Sequence, residues 1–408
     1  MDYIKRDLER AVLEASEQYP VVFVSGPRQV GKTTMLRRLA DTSARTYVSL
    51  DDLTARALAK DDPAMFFQIY RPPILIDEAQ YAPEMFPYIK IHADQRRRPG
   101  DFWLTGSQVL RLMEGVRESL AGRVAFLSLS SLSQSELYSP GSGEPFVPDL
   151  DALLKREKVT QPADTQEIFR RIFRGSMPAV ASGKYKDVSL FYSSYLSTYI
   201  ERDVRSVSAG IDELKFSAFV VSVASRCSQL LNIADIARDA DIDQATAKRW
   251  LKILETFGIV FYLHPYSNNQ LKRVIKAPKL YFFDTGLVCY LGKWSSPETA
   301  ERGAMSGALL ENYVVSELIK SYQNAARVPF FYYYRDRDAK EIDVIIEADG
   351  HLMPIEVKKT ASPDRRLSRV FSVLDRSPIP RGMGAILCMV ERLSAIDSRT
   401  LVVPISLI

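Results

Sequence analysis

A glycine-rich segment near the start of the chain carries the residue types that surround a phosphate group. It reads Gly26, Pro27, Arg28, Gln29, Val30, Gly31, Lys32, Thr33, Thr34. Glycines allow successive backbone N–H groups to turn toward one anion, and the positive N-terminus of a following helix faces the same anion. We expect the whole segment to line a nucleotide site, with Lys32 reaching the β- and γ-phosphates and the Thr33 hydroxyl binding Mg²⁺.

Two carboxylates, Asp77 and Glu78, end a second apolar run. In phosphoryl transfer, metal ligands and a residue that positions the attacking water are the recurring parts. We therefore assign the Mg²⁺ shell to Asp77 and the activation of water to Glu78. The alternative is a glycine-rich turn and an ordinary strand end. The apolar run 21–24 before the loop and the helical pattern 34–40 after it provide the context that the phosphate loop requires.

A few further polar residues are candidates for contact with a γ-phosphate. Ser107, with Thr105 as second choice, follows a strand-like run and would sense the phosphate or its water; the alternative is a polar helix cap. Arg123 would stabilise transition-state charge on a neighbouring subunit's nucleotide in a homo-oligomer, or it pairs with a surface carboxylate. Arg174 would reach the nucleotide from a lid, or it ends a helix.

A second polar constellation lies near the C-terminus. Asp343 belongs to one strand-like run, and Glu356 and Lys358 share a face of the next because strand side chains repeat every two residues. Glu311, in a helical run, would approach the same point. Magnesium prefers oxygen ligands, so we expect Glu311, Asp343 and Glu356 to hold a metal ion and Lys358 to activate water or steady charge. This set resembles the PD-(D/E)xK arrangement of restriction-like nucleases; a surface salt bridge is the alternative.

The segment from about 210 to 292 has the pattern of a winged helix-turn-helix. Two helical runs, 233–240 and 244–257, flank a short turn, and two strand-like runs follow. Basic residues fall on the second helix and in the loop between the strands: Lys248, Arg249, Lys252, Lys272, Arg273 and Lys276. Phosphate contacts from these positions would give salt-sensitive, largely sequence-independent DNA binding, whereas a protein-contact module with a solvated charged face is the alternative.

The alternation of strand and helix patterns up to about residue 135 predicts an α/β fold with a parallel sheet and helices on both of its faces. A Pro, Gly and Ser-rich segment follows it. The resulting division is a P-loop ATPase core at 1–138, a linker and helical lid at 139–205, a winged helix-turn-helix at 206–295, and a nuclease-like α/β domain at 296–408.

Composition is typical of a soluble globular protein. Of its 408 residues, 46% are hydrophobic and 25% are charged, and a net charge of +4 decides nothing by itself. We expect neither a membrane span nor a secretion signal, and therefore a cytoplasmic location. Cys227, Cys289 and Cys388 are widely spaced and are expected to be reduced core residues rather than zinc ligands.

These segments together resemble a known family, the prokaryotic AAA-type ATPases whose C-terminal domain of unknown function looks like a restriction endonuclease or Holliday-junction resolvase. The motifs that carry the resemblance are 26–34, 76–80, 105–108, 120–123, 199–204, 283–287, 310–312, 334–336, 341–343 and 355–358. The resemblance implies ATP and Mg²⁺ at the first site and a nuclease-like core at the last. One departure is Gly175-Ser176-Met177-Pro178, where relatives often have paired glycines before the proline.

We accordingly expect a Mg²⁺-dependent ATPase whose nucleotide cycle controls a winged-helix and nuclease-like C-terminal region that acts on DNA. One alternative is a regulatory switch in which ATP gates contact with a protein partner and the nuclease-like fold is catalytically silent. A chaperone-like remodeller is another.

Overall fold

The computed structural model describes residues 3–96, 98–106, 120–139, 143–200, 212–267, 277–328, 330–336, 338 and 340–408. Contacts between these residues divide the chain into two compact units. The first consists of 1–131, 256–258 and 323–327, and the second consists of 132–255, 259–322 and 328–408.

The first unit is built on a parallel five-stranded sheet, as the alternating sequence pattern predicts. The strands are β1 Val21–Ser25, β2 Thr46–Ser49, β3 Ile74–Asp77, β4 Phe102–Gly106 and β5 Val124–Ser128. Their order in the sheet is β2-β3-β4-β1-β5, and every neighbouring pair is parallel. Strands β3 and β4 are buried along their whole length, and each begins with three consecutive apolar residues rather than an alternating pattern.

Five helices accompany this sheet in the described residues. They are α1 Leu8–Ser16, α2 Lys32–Asp41, α3 Leu53–Asp61, α4 Pro63–Ile69 and α5 Phe86–Arg96. Short 3₁₀ turns at Ala79–Tyr81 and Pro83–Met85 follow β3. The side chain of Asp52 caps α3, and Asp62 caps α4 directly before a proline, so both helix starts are encoded locally. Because β1 and β3 run parallel to β4 between them, their carboxyl ends meet at one edge of the sheet.

The second unit contains most of the helices that the structure describes. They are α6 Gln134–Tyr138, α7 Leu150–Glu157, α8 Thr165–Arg174, α9 Pro178–Ala181, α10 Val188–Tyr195, α11 Glu213–Ala224, α12 Ile233–Asp239, α13 Gln244–Thr256, α14 Thr285–Leu291, α15 Pro297–Arg302 and α16 Ser306–Asn324. A π-helical turn spans Leu196–Ile200, and 3₁₀ segments span Arg365–Arg376 and Ile405–Leu407. Among the described residues, no helix has both the length and the apolarity that a membrane span requires.

A mixed nine-stranded sheet forms the centre of this unit. Its strands are β6 Gln229–Leu230, β7 Val260–Pro265, β8 Lys279–Phe282, β9 Phe331–Arg335, β10 Glu341–Ala348, β11 His351–Lys358, β12 Gly384–Cys388, β13 Ser394–Asp397 and β14 Thr400–Pro404. The order is β13-β14-β12-β11-β10-β9-β7-β8-β6. Strands β10 and β11 form the predicted antiparallel pair. Parallel pairing of β7 with β9, through His264 and Tyr332, joins strands from both of the C-terminal segments distinguished in the sequence.

The buried carboxylate of Asp284 connects two segments singled out in the sequence, 283–287 and 175–178. Asp284 caps α14 through the backbone N–H of Leu287, and it also accepts hydrogen bonds from the Tyr192 hydroxyl at 2.6 Å and the Ser176 N–H at 2.8 Å. Gly175 has a φ of 71°, and a Cβ atom there would lie 2.1 Å from the Tyr192 hydroxyl oxygen. The Gly175 turn therefore requires glycine because it packs against this hydrogen-bonded centre.

Candidate functional site

The glycine-rich segment forms the turn between β1 and α2. Gly26 has a φ of 147°, and a Cβ atom there would lie 2.0 Å from the carbonyl oxygen of Leu129. Gly31, with a φ of 93°, is the N-cap residue of α2. Both positions therefore need glycine, one for close approach to the residue that follows β5 and one for its left-handed backbone. The resulting loop ends at a helix N-terminus, where backbone N–H groups attract an anion.

Lys32, the first residue of α2, is buried within the loop. Its ammonium donates hydrogen bonds to the carbonyl oxygens of Gly26 at 2.9 Å and Pro27 at 2.7 Å. The loop backbone thus holds the cation beside the helix start. This is the position from which a lysine reaches the β- and γ-phosphates of a bound nucleotide.

Asp77, the last residue of β3, lies directly beside the phosphate loop. The Thr33 hydroxyl donates to Asp77 Oδ1 at 2.8 Å, and the Thr105 hydroxyl donates to the same oxygen at 2.5 Å. Thr105 is fully buried, and its hydroxyl also accepts the backbone N–H of Glu78 at 3.2 Å. The structure therefore brings together Thr33, Asp77 and Thr105, the second choice for the polar residue of β4. Ser107 lies outside the described residues.

Glu78 has a left-handed backbone, with a φ of 55°, immediately after β3. A non-glycine residue in this region carries backbone strain, which is concentrated at functional sites. The Gln80 side-chain amide donates a hydrogen bond to Glu78 Oε2, so the carboxylate is held by a residue two positions later. Sequence reasoning assigned no role to Gln80. Its place two residues after the carboxylate pair was the available signal.

Arg6 is a second residue that sequence reasoning missed. Its buried guanidinium donates to the carbonyl oxygen of Val30 in the phosphate loop at 2.7 Å and to that of Ser130 at 2.8 Å. The N-terminal segment therefore binds the loop and the chain just beyond β5. No local motif surrounds Arg6, because both partners are distant in sequence.

The oxygen atoms at the loop suit Mg²⁺. A threonine hydroxyl and a carboxylate, the donors present in Thr33 and Asp77, are hard oxygen ligands of the kind that Mg²⁺ uses together with substrate phosphates. When bound, the ion would neutralise the negative charge that develops on the phosphates. Thr33 and Asp77 would hold it, and Thr105 orients Asp77.

The two arginine candidates have other partners in this structure. The Arg123 guanidinium contacts the Asp94 carboxylate through two nitrogens, at 2.5 and 3.0 Å, in a partly exposed ion pair. Arg174 donates to the carbonyl oxygen of Val180 at 3.1 Å. These contacts match the structural alternatives considered for both residues, and their roles at a nucleotide stay predictions.

The C-terminal candidates do converge. The Lys358 ammonium lies 2.6 Å from Glu356 Oε1 and 3.6 Å from Asp343 Oδ2. Asp343 Oδ2 also accepts the backbone N–H of Val357 at 2.9 Å, which fixes its carboxylate against β11. Glu311, on α16, approaches from the helix side. The antiparallel β10–β11 pair and α16 thus bring all four side chains into one group.

A lysine that sequence reasoning missed lies within this group. The Lys279 ammonium, from the start of β8, is 2.5 Å from Glu341 Oε1, 3.0 Å from Glu311 Oε1 and 3.9 Å from Asp343 Oδ1. The Lys279 side chain is only 4% exposed. Glu311 Oε1 also accepts the Tyr281 hydroxyl at 2.7 Å. Two of the three predicted metal ligands therefore already contact an internal cation.

Burial and mutual repulsion shape the charges of this cluster. Loss of solvent, and then the neighbouring Asp343, raise the pKa values of Glu311 and Glu356. Burial by itself would lower the pKa of Lys279, but Glu311, Asp343 and Glu341 outweigh this effect and raise the pKa instead. The lysine is therefore held charged by the carboxylates around it.

The cluster fits a divalent cation poorly. Its carboxylates have suitable oxygens, and Glu356 Oε2 is buried with no hydrogen-bond partner among the residues that the structure describes. The Lys279 ammonium, however, lies close to both Glu311 and Asp343, where an ion shared by these two ligands would have to bind. Across the described part of the chain, no three His, Cys, Asp or Glu side chains are arranged to hold a metal ion.

The predicted basic surface is described only in part. Lys248, Arg249 and Lys252 are exposed on α13, and Lys252 pairs with Glu255 at 2.8 Å. The loop residues Lys272, Arg273 and Lys276 lie outside the described residues. Cys227, Cys289 and Cys388 are free and buried, as predicted.

The first unit has a parallel sheet with a glycine-rich loop between β1 and α2, an arrangement that resembles P-loop AAA-type ATPases. Residues 18–138 match the family model of the AAA domain. Two further models match farther along the chain, both described as domains of unknown function: DUF8612 at 165–298 and DUF4143 at 306–408. These two descriptions name no activity.

The chain is also similar to individual proteins. It is 29% identical over 373 residues to the uncharacterized proteins Rv2008c of Mycobacterium tuberculosis and Mb2031c of Mycobacterium bovis, covering 91% of this chain and 77% of each relative. The solved Walker-type ATPase PABY2304 of Pyrococcus abyssi is 14% identical, with a TM-score of 0.45, and the match covers 70% of this chain and 94% of that one.

Proposed function

We propose that the chain binds ATP with Mg²⁺ and hydrolyses it at the phosphate loop. The observation that carries this proposal is the 2.8 Å contact between Thr33 and Asp77, which are 44 residues apart in sequence. It places a hydroxyl and a carboxylate together beside the buried Lys32. This is the combination that a P-loop ATPase uses to hold a metal-bound triphosphate.

Each residue then has a distinct task. Lys32 binds the β- and γ-phosphates, and Thr33 and Asp77 hold the metal ion. Glu78 orients or deprotonates the attacking water, with Gln80 fixing its carboxylate and Thr105 fixing its backbone N–H.

Calorimetry with ATP and excess Mg²⁺ tests this proposal directly. The native chain should bind ATP, whereas Lys32→Ala should not bind it measurably. A native chain without affinity for ATP would overturn the proposal. Arg38→Ala, on the same helix but at an exposed position, provides a control for loss of a positive charge near the loop.

For the remainder of the chain, we propose that the nucleotide cycle controls a winged-helix and nuclease-like region that acts on DNA in the cytoplasm. The exposed cations Lys248 and Arg249 of α13 support this partner, since exposed lysine and arginine side chains are the groups that contact DNA phosphates. ATP turnover measured with single-stranded, duplex and branched DNA tests it. Equal turnover with and without every DNA would contradict it.

A second candidate is a switch in which ATP gates contact with a protein partner and the nuclease-like fold is catalytically silent. Lys279 specifically favours this candidate, because its ammonium contacts two of the residues that a nuclease would need as metal ligands. A DNA-cleavage assay with Mg²⁺ or Mn²⁺ that compares the native chain with Asp343→Ala separates the two. Cleavage lost only in the variant would exclude a silent fold.

A further inference from the structure

We infer that Lys279 is the resident cation of the C-terminal carboxylate cluster, and that its ammonium takes the place a divalent metal ion would otherwise occupy. The cluster consists of Glu311, Glu341, Asp343 and Glu356. The role of Lys279 in this cluster does not depend on ATP hydrolysis at the phosphate loop.

The contacts of Lys279 resemble those of a bound cation. Its ammonium is 2.5 Å from Glu341, 3.0 Å from Glu311 and 3.9 Å from Asp343, so carboxylates approach it from both β10 and α16. An ion bound to Glu311 and Asp343 together would need ligand distances of roughly 2 Å to each oxygen. It would therefore compete with the ammonium for the same small space.

Lys279 is held in this position by its own strand. Two residues farther along β8, the Tyr281 hydroxyl donates to Glu311 at 2.7 Å. The Asn312 side chain then accepts the backbone N–H of Phe282 at 2.7 Å and donates to its carbonyl oxygen at 2.9 Å. Adjacent residues of α16 thus fix both the side chain and the backbone of β8, which keeps the ammonium in the cluster.

The two lysines of the cluster, Lys358 and Lys279, differ in solvent exposure. The Lys358 side chain, which contacts Glu356 and Asp343, is 39% exposed, whereas Lys279 is almost completely buried. A lysine at the position of Lys358 is the one that the nuclease-like pattern requires. Lys279 is additional to that pattern and comes from β8, outside the segment that contains the pattern.

Removal of the Lys279 ammonium should consequently create a site for a hard divalent cation. The experiment uses the full chain freed of nucleotide and metal, with Mn²⁺ as the probe and free Mn²⁺ measured by electron paramagnetic resonance. The variants are Lys279→Met, Asp343→Asn and the double variant; since all retain the phosphate loop, differences between them report on the cluster alone.

We expect the native chain and Asp343→Asn to bind Mn²⁺ equally. Lys279→Met should bind one additional ion that the native chain does not bind, and the double variant should lose it. The inference is overturned if the native chain binds an ion that Asp343→Asn does not bind. It is also overturned if folded Lys279→Met gains no ion.

The native comparison decides the question even if Lys279→Met fails to fold, because native chain and Asp343→Asn alone reveal whether the cluster already takes a metal ion. Lys279→Arg is the matched control: it keeps a cation among the carboxylates and should gain no Mn²⁺. ATP binding by the same native sample, measured separately, distinguishes failure of this inference from failure of the proposed ATPase activity.

Discussion

Arg6 donates a hydrogen bond from its guanidinium to the carbonyl oxygen of Val30, 2.7 Å away, and thereby ties the N-terminal segment to the phosphate loop. Arg6→Gln would leave this buried carbonyl and that of Ser130 without their charged donor, at a cost of about 1–3 kcal/mol for an unsatisfied buried group. We expect ATP to bind about tenfold more weakly, as measured by calorimetry.

Arg10→Gln is the matched control for this prediction, since Arg10 is exposed on α1 and pairs with Glu14. It should leave ATP affinity unchanged. If Arg6→Gln lowers only the melting temperature and not the affinity, Arg6 stabilises the fold without positioning the loop.

Glu78→Gln should keep ATP binding but slow turnover by about 10²- to 10⁴-fold, because the amide cannot accept a proton from the attacking water. Calorimetry measures the binding, and phosphate release measures the turnover. Glu84→Gln, in the nearby 3₁₀ turn, serves as control for loss of one carboxylate. Undiminished phosphate release from Glu78→Gln would assign the water to another residue.

Thr105→Val retains the shape of the buried side chain but removes the hydroxyl that joins Asp77 to the Glu78 backbone. We expect a fall in turnover that exceeds the loss of ATP affinity, together with about 1–3 kcal/mol lower stability from the unpaired groups. Phosphate release and urea unfolding measure these effects. Thr42→Val, which removes a hydroxyl bonded to the Leu39 carbonyl at the end of α2, should affect turnover little.

Lys279→Met should destabilise the second unit by about 3–5 kcal/mol, since it leaves buried carboxylates without their cation. Urea unfolding checks this, and adding Glu311→Gln should restore part of the loss because one of those carboxylates becomes neutral. Lys252→Met, which removes an exposed ion pair with Glu255, should change stability by less than about 1 kcal/mol. Equal effects of the two lysine substitutions would mean that burial of Lys279 carries no energetic consequence.

The double variant Lys248→Ala/Arg249→Ala should weaken DNA binding and reduce the slope of log affinity against log salt by about two, if each side chain contacts one phosphate. Fluorescence anisotropy over a range of salt concentrations measures this. The control Lys155→Ala/Lys158→Ala also removes two positive charges, from exposed positions at the end of α7 and directly after it. Identical slopes for both double variants would indicate that α13 is not the contact surface.

Sequence patterns predicted local geometry where the residues concerned are close in the chain or belong to a recurring motif. The strand, turn and helix around the glycine-rich segment were predictable because glycine spacing, a preceding apolar run and a following helical pattern are all local signals. The β10–β11 pair was predictable for the same reason, since Asp349 and Gly350 form the turn between two apolar runs.

Contacts between distant segments could not be predicted in this way. Lys279 precedes Glu311 by 32 residues and belongs to a strand whose place in the nine-stranded sheet has no sequence signal. Arg6 donates a hydrogen bond to the carbonyl oxygen of Ser130, 124 residues away. Because every residue has a backbone carbonyl, the sequence does not indicate which one accepts this bond. The winged-helix and nuclease-like assignments stay predictions, because they depend on arrangements of this kind.

The pairing of β7 with β9 has a practical consequence for dissecting this molecule. Tyr266 also donates its backbone N–H to the Tyr333 carbonyl at 2.6 Å, so β9 is hydrogen-bonded on both sides, to β7 and to β10. A fragment that starts at residue 296 would expose one edge of β9, and unpaired strand edges recruit other chains. A C-terminal fragment that is to be soluble and monomeric should therefore retain β7. Without β7, we expect the fragment to aggregate instead of folding independently.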